Sequence, residues 1–303
     1  MSDTAPKIVC VGGGHGLYAA LSAARLVTPN VSAIVTVADD GGSSGILREQ
    51  LGIPAPGDLR MAIAALAGDA QWRGLIQYRF KEGELAGHPL GNLLIAALAD
   101  LRGDFARAVA EVASLAGVSG QVIPSTSAPV TLRARIAGSI VTGQVAIARG
   151  PAAVERLWLD PEDAEGHPSA IEALKNADLV VLGPGSLFTS VIAALLPTGV
   201  AEAAASAARV AFVMNLAQQK GETLGLDAVG HVAGLRAHCP ALRLDAVLVH
   251  SGSYDGVERP VALDAAAMSV ARAPVVASPL RDDAQGPRHD PAMLAATLKG
   301  LLW

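Results

Sequence analysis

Gly12, Gly13 and Gly14, with His15 and Gly16 just beyond, follow four apolar residues (Ile8 to Val11) and precede a helical pattern from Leu17 to Leu26. A buried strand that empties into a loop without bulk, then a helix, aims free backbone N–H groups and the positive end of a helix dipole at one point. The chemistry this suits is phosphate binding. The spacing departs from the dinucleotide fingerprint G-x-G-x-x-G, because Leu17 stands where the last glycine belongs, and no lysine follows as a P-loop requires. A ligand-free strand-to-helix turn explains one or two small residues here, but not four.

Asp39 and Asp40 close the β-branched run Val31 to Val37. Acids at that place hold a ribose hydroxyl in dinucleotide enzymes, and adjacent carboxylates also suit Mg²⁺ against a pyrophosphate, with Asp40 the ligand if the metal is used; solvated turn acids are the plain alternative. Gly41-Gly42-Ser43-Ser44-Gly45 matches the nucleophile elbow G-x-S-x-G. A serine hydrolase also needs acid and histidine partners, and His231, His238, His250 and His289 lie in no distinguishing context. Phosphate contact by Ser43 and Ser44 accounts for the same letters better. In Gly87-His88-Pro89-Leu90-Gly91-Asn92, His88 and Asn92 precede or open a helix and can turn polar groups towards the strand tips. Gly183-Pro184-Gly185-Ser186 is another strand tip of small residues, Asn215 ends a further strand, and Asp58 reads as the N-cap of the helix after Pro54, Pro56 and Gly57. No His/Cys/Asp/Glu cluster has zinc spacing.

The elements that must position these groups alternate strand and helix. Apolar runs at Ile8–Val11, Val31–Val37, 178–182, 209–214 and 245–249, separated by helical patterns, predict a doubly wound, mostly parallel, Rossmann-like α/β sheet. A helical segment is expected over about 58–117 and a small β-rich insertion over about 121–159, within one α/β domain spanning 1–303. A closing amphipathic helix is expected from Pro291 to Leu302. Ligands of open parallel sheets bind beyond the carboxyl ends of the strands, so one crevice should collect these tips.

With 51% hydrophobic and 17% charged residues and no apolar run of membrane-spanning length, the chain reads as soluble, without a membrane partner. The start MSDTAPK lacks the basic-then-apolar order of a signal peptide, and only Cys10 and Cys239 are present, which points to a reducing cytoplasm. A net charge of −5 and 3% aromatic residues argue against nucleic acid as partner.

In order along the chain, VGGGHGL, TVADDGGSSGILR, PGDLRMAIAALA, QYRF, GHPLGNLLIAAL, DLVVLGPGSLFTSV and NLAQQKGETLG resemble the YvcK-type gluconeogenesis-factor family, which is related to CofD, the phospholactate transferase of cofactor F420 synthesis. The likeness covers roughly Lys7 to Gly225; HSGSYDGVERP departs from it, and His15 stands where many members carry Thr. The resemblance implies a cytoplasmic bacterial protein that binds a UDP-sugar, notably UDP-N-acetylglucosamine. It implies a regulatory role linking carbon flux and gluconeogenic growth to cell-wall precursors and cell shape through a regulated metabolic enzyme, with no required cofactor. Self-association into a homo-oligomer is compatible with it. Carried over by motif, Gly12, Gly13, Gly14, Asp39, Asp40, Asn92, Gly185, Ser186 and Asn215 line the site, and Arg281 reaches the phosphates. The rival reading is a CofD-like transferase using Mg²⁺ on Asp39 or Asp40, for which His88 is the candidate base.

Overall fold

The computed structural model describes residues 5–150, 152–281 and 288–302. Ile8–Gly12 (β1) leads into Gly14–Arg25 (α1), Val31–Val35 (β2), Gly42–Leu51 (α2), Gly57–Leu66 (α3), Ala70–Gln77 (α4), Leu90–Arg102 (α5), Phe105–Leu115 (α6) and Gln121–Pro124 (β3). Thr131–Ile136 (β4), Ser139–Thr142 (β5), Gln144–Ala148 (α7) and Val154–Asp160 (β6) come next, then Pro168–Lys175 (α8) and Leu179–Leu182 (β7). A π-helical turn, Leu187–Ile192, continues as Ala193–Leu195 (α9) and is followed by Val200–Ala205 (α10), Val210–Val213 (β8), Ala228–His238 (α11), Ala246–His250 (β9), Ala265–Val270 (α12), Val275–Ser278 (β10) and Pro291–Leu302 (α13).

A parallel sheet covered by helices on both faces buries every side chain of its central strands, which is why β1, β7, β8 and β9 read as unbroken apolar runs. The large sheet has seven strands in the order β10-β9-β8-β7-β1-β2-β3, all parallel, as the doubly wound reading expects. A second sheet, β5-β4-β6, is antiparallel. Its alternation is that of a half-buried surface: Leu132, Ala134 and Ile136 face the core while Thr131, Arg133 and Arg135 face out.

Three details differ from the sequence reading. Gln121–Pro124, expected in the β-rich insertion, is instead the edge of the large sheet, paired with β2, because Val122 and Ile123 are apolar enough to extend its core; the small sheet therefore begins at Thr131. Gln144–Ala148, read as β-like, is helical. Both glycine runs expected as open loops are helix starts, since α1 begins at Gly14 and α2 at Gly42. At Gly45 a Cβ would overlap the Asp40 carbonyl, so this small residue serves the packing of α2 against its own lead-in. The edge strand β10, which carries only four residues, is visible only in the structure.

Candidate functional site

The order of the large sheet reverses between β1 and β7: the chain passes outward through β2 and β3 on one side and through β8, β9 and β10 on the other. Such a switch point leaves a crevice beyond the strand ends. Its two walls touch at the bottom, because a Cβ on Gly16 would overlap the carbonyl of Pro184; the first turn of α1 lies directly on the loop after β7.

On the β1–β2 side, α1, α2, α3 and α5 start with Gly13, Gly41, Pro56 and Pro89 at the N-cap, and none of these caps offers a side-chain acceptor. Between these starts runs a directed hydrogen-bond chain. Arg60 Nε donates to Asn92 Oδ1 at 3.1 Å, Asn92 Nδ2 donates to Ser43 Oγ at 3.1 Å, and Ser43 Oγ lies 2.9 Å from His88 Nδ1. Ser43 Oγ accepts from Asn92 and keeps one further lone pair and its own proton for the bond with the His88 ring. Asn92, 2% exposed, is a buried polar group held by partners on both sides.

Two carboxyl groups join this wall. Asp39 Oδ1 accepts the Gly41 N–H at 2.9 Å, and burial holds its carboxyl above the ordinary range against the stabilising Gly41 N–H and Ser44 hydroxyl. Asp58 is pushed up to about 7, by burial first and by the nearby Asp39 second, while the Gly14 N–H and Arg60 oppose the shift. It is not the N-cap that the sequence suggested: α3 starts two residues earlier, at Gly57 with Pro56 as N-cap, which places Asp58 in the first turn with its carboxylate against the α1 start. A Cβ on Gly13 would overlap Asp58 Oδ2, which explains why that position has no side chain.

On the β7–β8 side the polar atoms are committed to one another. Asn215 Oδ1 accepts the Gly185 N–H at 3.0 Å and its Nδ2 donates to the Gly185 carbonyl at 2.8 Å. Gln219 Nε2 donates to Ser186 Oγ at 3.0 Å. Glu222, 2% exposed, accepts the Phe188 and Thr189 N–H groups at 3.3 and 3.2 Å and the Thr189 hydroxyl at 2.5 Å, and so closes the start of the Leu187–Ile192 turn. Burial raises its carboxyl despite those donors.

The structure thus brings Gly12, Gly13, Gly14, Gly16, Asp39, Ser43, Ser44, His88 and Asn92 together on one wall and Gly183, Gly185, Ser186 and Asn215 on the other. His15 is exposed in the first turn of α1. Asp40, the residue to which the sequence assigned Mg²⁺, turns away: its Oδ1 accepts the Val145 N–H at the start of α7, 2.9 Å off. Asp39 still feels the Asp40 charge, and its own charge reaches Asp58 across the tips. Arg281 is buried beyond β9, where its Nη2 donates to the Asp255 carbonyl at 2.9 Å. Near it His289, lowered to about 4 by burial, bonds the Met214 carbonyl.

Sequence reasoning missed Arg60, Gln219 and Glu222 as parts of these walls. Arg60 is a charge inside the apolar stretch LRMAIAAL, and that misfit was the available signal; the polar surroundings of Gln219 and Glu222 gave none. The elbow motif does present a Ser–His pair, Ser43 and His88, but no described carboxylate hydrogen-bonds His88, and His231, His238, His250 and His289 all bond elsewhere. Cys10 and Cys239 are buried free thiols, each pushed up to about 12 by burial, and therefore unreactive. Among the described residues no three His, Cys, Asp or Glu side chains gather as a metal cluster, and no helix is long and apolar enough to cross a membrane. A groove of about 440 Å³ beside β3, lined in part by Arg107, Gln121 and His167, shares no residue with the tips of β1, β2, β7 or β8.

A doubly wound α/β sheet whose helix starts and acids gather at the switch point defines a class of proteins that binds its ligand beyond the strand ends. Within that class the chain belongs to the CofD family: residues 8–281 match the family described as 2-phospho-L-lactate transferase CofD. It is 42% identical to a Mycobacterium tuberculosis relative over 97% of this chain and 90% of that one. Against the gluconeogenesis factor of Bacillus subtilis it is 40% identical over 86% and 84%. The crystal structure of a UPF0052-family protein from Bacillus halodurans superposes with a TM-score of 0.92 at 34% identity, covering 98% of this chain and 99% of that one.

Proposed function

We propose that this chain is a cytoplasmic regulatory protein that binds a UDP-sugar, UDP-N-acetylglucosamine above others, and reports occupancy to a metabolic enzyme, so linking gluconeogenic carbon flux to cell-wall precursor synthesis and cell shape. The observation that carries the reading is the set of four helix starts without side-chain caps on one wall, α1, α2, α3 and α5, an arrangement that favours phosphate. Relatives named gluconeogenesis factors support the regulatory half. No cofactor is required for it.

A second reading rests on a separate observation, the paired carboxyl groups of Asp39 and Asp58. In a CofD-like transferase these would hold Mg²⁺ with the help of phosphate oxygens and water, and the ion would neutralise a leaving nucleotide phosphate. His88, whose Nδ1 is hydrogen-bonded to Ser43 Oγ, would be the residue to test as base towards an acceptor alcohol.

Calorimetric titration with UDP-N-acetylglucosamine, GDP and NAD, each with and without Mg²⁺, separates the two. Metal-independent micromolar binding of the UDP-sugar without turnover supports the sensor. GDP binding only with Mg²⁺ supports the transferase, and no nucleotide binding at all sinks both.

A further inference from the structure

Arg60 is 8% exposed, and a guanidinium buried that deeply needs anionic company. Its stem is fixed, since a Cβ on Gly91 would come 2.8 Å from Arg60 Cγ. Its Nε is bound to Asn92 Oδ1. Neither Nη nitrogen has a hydrogen-bond partner among the described residues, and neither is among the buried unpartnered atoms, so both keep access to open space. The guanidinium lies where the first turns of α2 and α5 converge, because Asn92 in α5 bonds Ser43 in α2. Nearby charge does not balance it: Arg79 adds a second cation, and the acid closest in sequence, Asp58, shares its influence with Asp39 and the α1 start. A buried fork of donors beside the α2 start, whose N-cap Gly41 has no side chain, is a receptor for a planar or tetrahedral oxyanion.

We propose that the Nη nitrogens of Arg60 bind phosphate oxygens of the molecule held in the crevice, together with the first-turn N–H groups of α2. The assignment rests on the phosphate-binding reading of the crevice and adds a buried cation of that wall to it. The Ser43–Asn92 pair then acts as the strut that keeps the fork in place.

The test titrates wild type, Arg60→Lys and Arg60→Gln with inorganic pyrophosphate and with UDP-N-acetylglucosamine. Wild type should bind both; Arg60→Lys, which keeps the charge and loses the fork, should bind each about 10- to 100-fold more weakly, and Arg60→Gln more weakly still. Pyrophosphate binding that depends on Arg60, with no UDP-sugar binding, keeps the assignment and removes the sugar nucleotide. Equal affinities in wild type and Arg60→Lys overturn the assignment and leave the nucleotide reading intact. No binding of either ligand to wild type overturns both. If the variants do not fold, wild-type crystals soaked in pyrophosphate decide: oxygens about 3 Å from the Nη nitrogens support the assignment, and pyrophosphate elsewhere or nowhere overturns it.

Discussion

On the β7–β8 side of the crevice the Leu187–Ile192 turn begins under the Glu222 carboxylate and the Gly185 peptide is held at both ends by Asn215, whereas on the β1–β2 side α1, α2, α3 and α5 begin with no side-chain cap. Away from the crevice the usual device returns: Asp69, Asp104, His167, Asp227 and Asp264 cap α4, α6, α8, α11 and α12 with their own side chains, and the short α7 and α10, with Gly143 and Gly199 at the N-cap, are exceptions. A side-chain cap is worth about 1 kcal/mol, so omitting it repeatedly on one wall forgoes stability that an incoming anion can restore. The β1–β2 wall has acids of its own, since Asp39 and Asp58 lie against the α2 and α1 starts; the contrast lies in four helix starts there that carry no side chain at the N-cap to close them.

The comparison can be broken at several points. The largest effect should come from Gly16→Ala, whose new methyl would overlap the Pro184 carbonyl where the walls meet. We expect a loss of about 3 kcal/mol by chemical denaturation; a wild-type midpoint would show that the walls can part. Glu222→Gln removes the built-in anion and should cost about 2 kcal/mol, while UDP-sugar affinity of the folded variant stays within about threefold of wild type; a tenfold fall would put ligand on the β7–β8 wall.

Asp58 gives a pH signature. Its folded value, about 7, lies above the 3.8 of an ordinary aspartate, so between those limits the folded protein holds a proton that the unfolded chain has released. Stability from this group is therefore greatest at low pH and falls as pH rises from about 4 to 7. Asp58→Asn should remove that slope and raise Tm at pH 8 by about 2–4 °C in a thermal melt; an unchanged slope would place the titration elsewhere. The smallest effect is the control: Asp69→Ala, at an ordinary capped helix, should cost about 1 kcal/mol and leave ligand affinity untouched in the same titration.

Much of this was legible in the residues. Unbroken apolar runs such as Ile8 to Val11 announce parallel strands buried on both faces, and small residues at their ends announce close approach. What could not be read was whether a glycine run is a loop or the first turn of a helix. Gly14 and Gly42 both open helices while adopting positive φ of 62° and 46°, and nothing local distinguishes that from a loop. Nor could the letters tell Asp39 from Asp40. Neighbouring side chains in extended backbone point to opposite sides, so only the placement of α7, 105 residues later, decided that one faces the crevice and the other faces Val145. Asn215 and Ser186 were visible as polar tips, but their mutual bonding with Gly185 and Gln219 depends on loops brought together by sheet order.

That pair of consecutive acids has a mechanical consequence. Asp39 holds the α2 start through Gly41, and Asp40 holds the α7 start through Val145, while Arg48 of α2 donates to Thr131 of the small sheet at 2.6 Å. The small antiparallel sheet is therefore bolted at two places to the lip of the crevice, and one of the bolts is a single peptide unit from a residue that lines it. The outer edge of that sheet, Ser139–Thr142, is thereby tied through α2 and α7 to the crevice, like a needle mounted on the same shaft, on a surface that no ligand needs to touch.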